Sequence, residues 1–132
     1  EAIPTGSESV LVVEDNFTVR TLVCDLLRQA GYNVLTANDG EEAVERVQTE
    51  AQSIDLILMD VVMPRLSGPE ACERIRTIAP EIPTIFSSGY AADNLPTDFL
   101  AKHNLSLIPK PFRAQTLLES IRKALDAAEA RP

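Results

Sequence analysis

Ile54-Asp55-Leu56-Ile57-Leu58-Met59-Asp60-Val61-Val62-Met63-Pro64 is the stretch that decides how this chain folds. Five of the six residues from Ile54 to Met59 are apolar. A short run of this kind predicts a strand buried on both faces, as in parallel sheets. It ends on a carboxylate, Asp60, followed by a small hydrophobic turn that Pro64 stops. In open parallel sheets, ligands and chemistry sit just past the carboxyl ends of the strands. An acid at that place costs desolvation energy unless something pairs with it. The partners of Asp60 must come from elsewhere in the chain.

Working outward, the same grammar repeats. Val10 to Val13 reads as a buried strand ended by Glu14-Asp15. Asn16 can cap a helix whose apolar face is Val19, Leu22, Val23, Leu26 and Leu27, with Gly31 as its stop. Asn33 to Ala37 is a second strand. The turn Asn38-Asp39-Gly40-Glu41 leads into a helix that turns Ala43, Val44 and Val47 inward and Glu41, Glu42, Glu45 and Arg46 outward. After the Ile54–Asp60 strand, Ser67-Gly68-Pro69-Glu70 has the form of a capping box with an early proline, and its helix runs to about Ala79. Ile82 to Ser88 is a fourth strand ending in two hydroxyls, before Gly89-Tyr90. Ala91 to His103 is a weaker helical segment interrupted by proline. Leu105 to Pro109 is the fifth strand and ends at Lys110-Pro111. Residues 113–128 form a last helix on Leu117, Leu118, Ile121 and Leu125.

Five strand–helix alternations predict an α/β fold with helices on both faces of a parallel sheet. Right-handed crossovers favour a flavodoxin-like three-layer (βα)5 sandwich with a five-stranded sheet of order 2-1-3-4-5. The 132 residues suffice for one domain, with 10–128 as its body, 1–9 a linker and 129–132 a tail. The chain begins at Glu1 without an initiator Met, so a domain cut from a longer protein is expected.

Composition narrows the function classes. At 45% hydrophobic and 24% charged, the chain has the make-up of a soluble globular domain. A net charge of −8 argues against a nucleic-acid surface, which needs a basic stripe. Cys24 and Cys72 lack metal-type spacing and fall in helical patterns, so two buried free thiols and a reducing, cytoplasmic compartment are expected. No apolar run approaches the roughly 20 residues that span a bilayer, and no signal-peptide pattern is present. Membrane contact by this domain is therefore not expected.

In the expected topology strands one, three, four and five are neighbours. Their ends bring together Glu14 and Asp15, Asp60, Ser87-Ser88, and Lys110. Three carboxylates at one edge repel each other and raise one another's pKa. A hard divalent cation resolves that, and Mg2+ suits few carboxylates, several waters and a phosphate oxygen. Lys110 adds a point charge and a serine adds a donor. Cation, ammonium and hydroxyl around one free carboxylate form a clamp for a phosphoryl group, with Asp60 as the nucleophile. Taken singly, each residue has a plainer explanation: a helix cap, a turn serine, a surface lysine. Their joint placement at four strand ends favours the site.

The segments VLVVEDN (10–16), LILMDVVMPRLSG (56–68), PTIFSSGY (83–90) and Lys110-Pro111-Phe112 together resemble the receiver domain of two-component response regulators. The wording looks most like receivers attached to hybrid sensor histidine kinases. The resemblance implies that Asp60 accepts a phosphoryl group from a histidine kinase or a histidine phosphotransfer protein. It implies Mg2+ held by Glu14 and Asp15, with Asp15 the direct ligand, together with Asp60 and the Val62 carbonyl. It makes Ser88 the switch hydroxyl in preference to Ser87, and Lys110 the phosphate-binding lysine before a cis Pro111. A monomer or weak dimer is expected. One departure stands out: Leu107 occupies the position where the family usually has Tyr or Phe. The resemblance also puts Val62 and Tyr90 at the positions that control attacking water. Neither has a polar group suited to orient it, so slow self-dephosphorylation is expected.

Two other classes compete. A haloacid-dehalogenase-like phosphohydrolase also gathers Asp, Ser or Thr and Lys around Mg2+. It needs a second Asp two residues after the nucleophile, and neither Asp15-Asn16-Phe17 nor Asp60-Val61-Val62 supplies one. A flavodoxin-type FMN binder needs a phosphate cradle after strand one, where Glu14-Asp15 would repel it. The single histidine, His103, reads as a surface residue rather than a phosphodonor.

Overall fold

Five short strands make one parallel sheet in the order β2-β1-β3-β4-β5. In chain order the elements are β1 (Ser9–Val13), α1 (Phe17–Gln29), β2 (Asn33–Ala37), α2 (Gly40–Glu50), a 3-10 turn (Ala51–Ser53), β3 (Leu56–Asp60), α3 (Gly68–Ile78), β4 (Thr84–Ser88), β5 (Ser106–Pro109) and α4 (Ala114–Glu129). The structure is a computed structural model and describes residues 3–89, 106–110 and 112–129. The helical segment expected over Ala91–His103, with His103 itself, and the Tyr90 and Pro111 positions lie outside the described residues.

The sheet divides the core in two. On one face Leu11, Val13, Ile57, Met59 and Phe86 pack with Ala43, Val44 and Val47 of α2 and Ala71, Cys72 and Ile75 of α3. On the other, Val10, Val12, Leu56, Leu58, Ile85 and Ile108 pack with Val23, Cys24 and Leu27 of α1 and Leu117, Leu118, Ile121 and Leu125 of α4. This is the expected doubly wound layering, and it explains why every residue of β3 and β4 is buried. Both cysteines are free and buried.

The caps expected at Asn16 and Ser67 are present, and Asp39, expected only as a turn residue, caps α2. Asn16 Oδ1 accepts from Val19 N at 3.0 Å, and Asp39 Oδ1 from Glu42 N at 2.8 Å. Ser67 and Glu70 exchange both bonds of a capping box at the start of α3. Gly31 follows α1 with φ +102°, the left-handed conformation that favours glycine.

Several expected boundaries and one face shift. β3 begins at Leu56, not Ile54: Asp55 turns its carboxylate back to accept from Ser9 N at 2.9 Å. β4 begins at Thr84 rather than Ile82, because Pro83 has no N–H to donate and only its carbonyl joins the ladder, accepting from Ile57 N at 3.0 Å. The described part of β5 is Ser106–Pro109, and Leu105, the expected start of the strand, lies outside the described residues. Leu22, placed on the inner face of α1 by periodicity, is 61% exposed. It sits on the shoulder of the helix, where Cys24 and Leu27 have taken the buried stripe. Within the stretch expected to be a linker, Gly6 N donates to Ala30 O at 3.1 Å and Ser7 O accepts from Asn33 Nδ2 at 3.0 Å.

Candidate functional site

Parallel register brings the strand ends level. Val13 stands beside Met59, Asp60 beside Ser87, and Ser88 beside Pro109. The residues just past β1, β3, β4 and β5 therefore meet at one edge. Asp60 is the last residue of β3 and is nearly buried. Its backbone is gripped from α3: Gly68 N donates to Val61 O at 2.8 Å, and a Cβ on Gly68 would collide with the Asp60 carbonyl oxygen. Only glycine lets α3 approach the strand end this closely.

Glu14, also buried, is held at every polar atom the structure pairs. Its N–H donates to Ala37 O at 3.2 Å, which extends the β1–β2 ladder by one rung. Its carboxylate accepts from Asn16 N at 3.1 Å through Oε2 and from Lys110 Nζ at 2.8 Å through Oε1. Its carbonyl accepts from Arg20 Nη1 at 2.7 Å. Asp15 next to it is exposed. One carboxylate oxygen from each of Glu14, Asp15 and Asp60 fits within 4.8 Å of the others. An all-oxygen, all-carboxylate set of that size suits a hard divalent cation.

Lys110 Nζ lies 3.4 Å from Asp60 Oδ1, farther than from Glu14. Burial alone would lower the Lys110 pKa, but its bond to Glu14 and the charges of Asp60 and Glu14 outweigh that and raise it. Asp60 moves the same way for a different reason. Burial first, then the Glu14 charge, push it up to about 6, against the pull of Lys110. The shared ammonium thus stays charged beside both acids, and Asp60 is the acid left short of compensation.

Ser87 and Ser88 are both buried. Their carbonyls hold the neighbouring strand ends: Ser87 O accepts from Val61 N at 2.9 Å and Ser88 O from Lys110 N at 2.7 Å. Strand alternation puts Ser87 on the face of Ile85 and Ser88 on the face of Phe86. Val62, straight after the buried Val61, is 54% exposed at the rim. Leu107 stands beside Phe86 in the sheet and packs against the α2–α3 side of the core. The structure therefore brings Glu14, Asp15, Asp60 and Lys110 together and sets Ser87, Ser88 and Val62 around them. In the sequence Gly68 stands only as part of a helix start, and no pattern there gives Arg20 a role. A glycine opposite an essential strand end was a signal for the first; nothing local marked the second.

Residues 10–122 match the family described as the response regulator receiver domain. The chain belongs to that receiver family. It is 35% identical over 122 residues to the sensor kinase CckA of Brucella abortus, and 36% identical over 119 residues to the response regulator receiver protein CpdR of the same organism. It covers 13% of the length of the first and 98% of the second, and about nine-tenths of its own length in each. Among solved structures it is similar to the receiver domain of the hybrid histidine kinase CckA, with a TM-score of 0.76 and 36% identity, covering 89% of this chain and 98% of that one. A CheY-like receiver from Methanospirillum hungatei gives a TM-score of 0.85 at 26% identity, covering 94% and 98%. The chain is thus a two-component signalling receiver, related both to receivers within hybrid kinases and to single-domain regulators. The phosphohydrolase alternative finds no support. No described helix is long and apolar enough to cross a membrane.

Proposed function

We propose that this receiver takes a phosphoryl group from a phosphohistidine onto Asp60, and that the 10–128 unit signals by the conformational change that follows. The observation that carries the reading is the state of Asp60: buried at the end of β3, with a pKa pushed up to about 6 and an ammonium 3.4 Å away. At neutral pH it is mostly ionised yet poorly compensated, which suits a nucleophile. An Asp60 carboxylate oxygen attacks phosphorus, the P–N bond to the imidazole breaks, and its electron pair leaves on the ring nitrogen, which is then protonated. Lys110 steadies the charge on the transferring group, and Ser88, by its family position, donates a hydroxyl to it. Mg2+ bound by Glu14, Asp15, Asp60 and the Val62 carbonyl would supply positive charge to a phosphoryl oxygen.

The donor is a histidine kinase or a histidine phosphotransfer protein. Beside Lys110, an apolar groove of about 450 Å³ lined by Val19, Leu22, Val23, Leu26 and Phe112 offers that partner a seat. The native protein is a hybrid sensor histidine kinase or a single-domain regulator, working in the cytoplasm as a monomer or weak dimer without direct nucleic-acid contact. Incubation with acetyl phosphate and Mg2+, followed by intact-mass measurement, tests the assignment. The wild type should gain one phosphoryl group and Asp60→Asn none. An Asp60→Asn variant that gains the group at the wild-type rate defeats the reading. Slowing or loss of the phosphoryl-dependent change in Ser87→Ala, with Ser88→Ala unaffected, would move the hydroxyl role to Ser87.

A further inference from the structure

We infer that Arg20 is a positioning residue for the metal-binding acids, acting through the backbone of Glu14; this rests on the proposed Mg2+ site. β1 ends at Val13, so the Glu14 carbonyl lies beyond the ladder, at the turn from strand into helix. Arg20, one turn into α1, reaches back to donate Nη1 to that carbonyl at 2.7 Å. The bond is part-buried and charge-assisted, the strong class of hydrogen bond.

The Glu14 carbonyl belongs to the peptide plane that joins Glu14 to Asp15. Fixing its oxygen fixes that plane, and with it the Asp15 N–Cα bond on which the Asp15 side chain is carried. Asp15 is exposed and has no burial to hold it, whereas Glu14 has Lys110 and Asn16 N. Arg20 thus restrains the acid that packing leaves loose. The guanidinium is itself braced, with Cζ 5.5 Å from the centre of the Phe17 ring. A planar group can stack on the ring and donate in its own plane at the same time, which a lysine cannot.

Through-space charge and positioning predict opposite signs. Removing a positive charge near a dication should tighten Mg2+ binding. Removing a restraint on a ligand should weaken it, by about tenfold on the scale usual for groups that orient metal ligands. Arg20→Met keeps a long apolar stem over Phe17 and loses the donor. Mg2+ affinity of the whole chain, measured by isothermal titration calorimetry, should fall about tenfold in Arg20→Met. Arg20→Lys should recover part of the loss, and acetyl phosphate uptake at saturating Mg2+ should return to near the wild-type rate. Affinity unchanged or tightened in Arg20→Met overturns the inference, whatever the melting temperature does. A wild type that binds no Mg2+ overturns the metal site and this inference together; a wild type that binds, with an indifferent Arg20→Met, overturns this inference alone.

Discussion

Asp60 is a carboxylate short of both water and countercharge. Its folded pKa, about 6, is above the ordinary 3.8. Below pH 3.8 the acid is protonated in folded and unfolded chains alike and costs nothing. Between 3.8 and 6 the folded state holds the proton more tightly, so stability falls as pH rises. Above 6 the full cost of the ionised acid persists, on the order of 2–3 kcal/mol. Asp60→Asn removes that cost with little change of shape. In EDTA at pH 7 the variant should therefore be more stable than wild type by that order, the gap closing as pH falls from 6 towards 4. Urea melts across this range check it, and equal stability at pH 7 would contradict it. Val62 is exposed at the rim. With no amide or carboxylate there to orient water, the phosphorylated wild type should lose its group slowly. Val62→Asn should lose it several-fold faster, timed by intact mass after removal of the phosphodonor. Equal lifetimes would remove side-chain control at this position.

At the scale of elements, the contact of α3 with β3 is what holds the acid in place. Gly68 is the first residue of α3 and touches the backbone of Asp60 and Val61. A methyl added there meets the Asp60 carbonyl oxygen, lies 3.0 Å from Val61 Cα and 3.2 Å from the Phe86 ring. Neither backbone atom can yield without moving the strand end. Gly68→Ala should destabilise the domain by about 1–3 kcal/mol and slow phosphoryl uptake at Asp60. Calorimetric melts and uptake from acetyl phosphate measure the two effects. A stable variant with wild-type uptake would show that α3 can retreat without disturbing the acid. The caps of α1 and α3 were legible because capping is a local rule, with donor and acceptor only three residues apart; Asp39, read only as part of a turn, caps α2 by the same rule. The exposure of Leu22 was not, because periodicity gives a face and only the packed neighbours decide which part of it is covered.

Across the whole molecule, α4 is tied to the stretch before β1. Arg122 donates to Glu8 Oε2 at 2.6 Å and Oε1 at 3.1 Å, to Thr5 O at 3.1 Å and to Asp126 Oδ1 at 3.0 Å. Its bond to Glu8 holds the Glu8 carboxyl below the usual range. Gly6 fits beneath this contact: a Cβ there would lie 2.5 Å from the Tyr32 ring and 2.6 Å from Arg122 Nη1. Arg122→Ala should cost about 1 kcal/mol, because the pair is partly solvated, and should open residues 3–9 to limited proteolysis. Unchanged cleavage in that segment would mean its backbone bonds to Ala30 and Asn33 hold it alone.

The five strands, their order and the acids, hydroxyls and lysine at their ends are all legible in the amino-acid sequence. Those follow from apolar runs, turn residues and right-handed connections, all short-range or topological rules. Packing alone sets Lys110 closer to Glu14 than to Asp60, Arg20 against the Glu14 carbonyl, and Arg122 against Glu8 across the length of the chain. Residues 14 and 110 or 8 and 122 share no local pattern. Their separations are set by sheet register and by how deeply each helix seats on the sheet, and those are properties of the packed molecule.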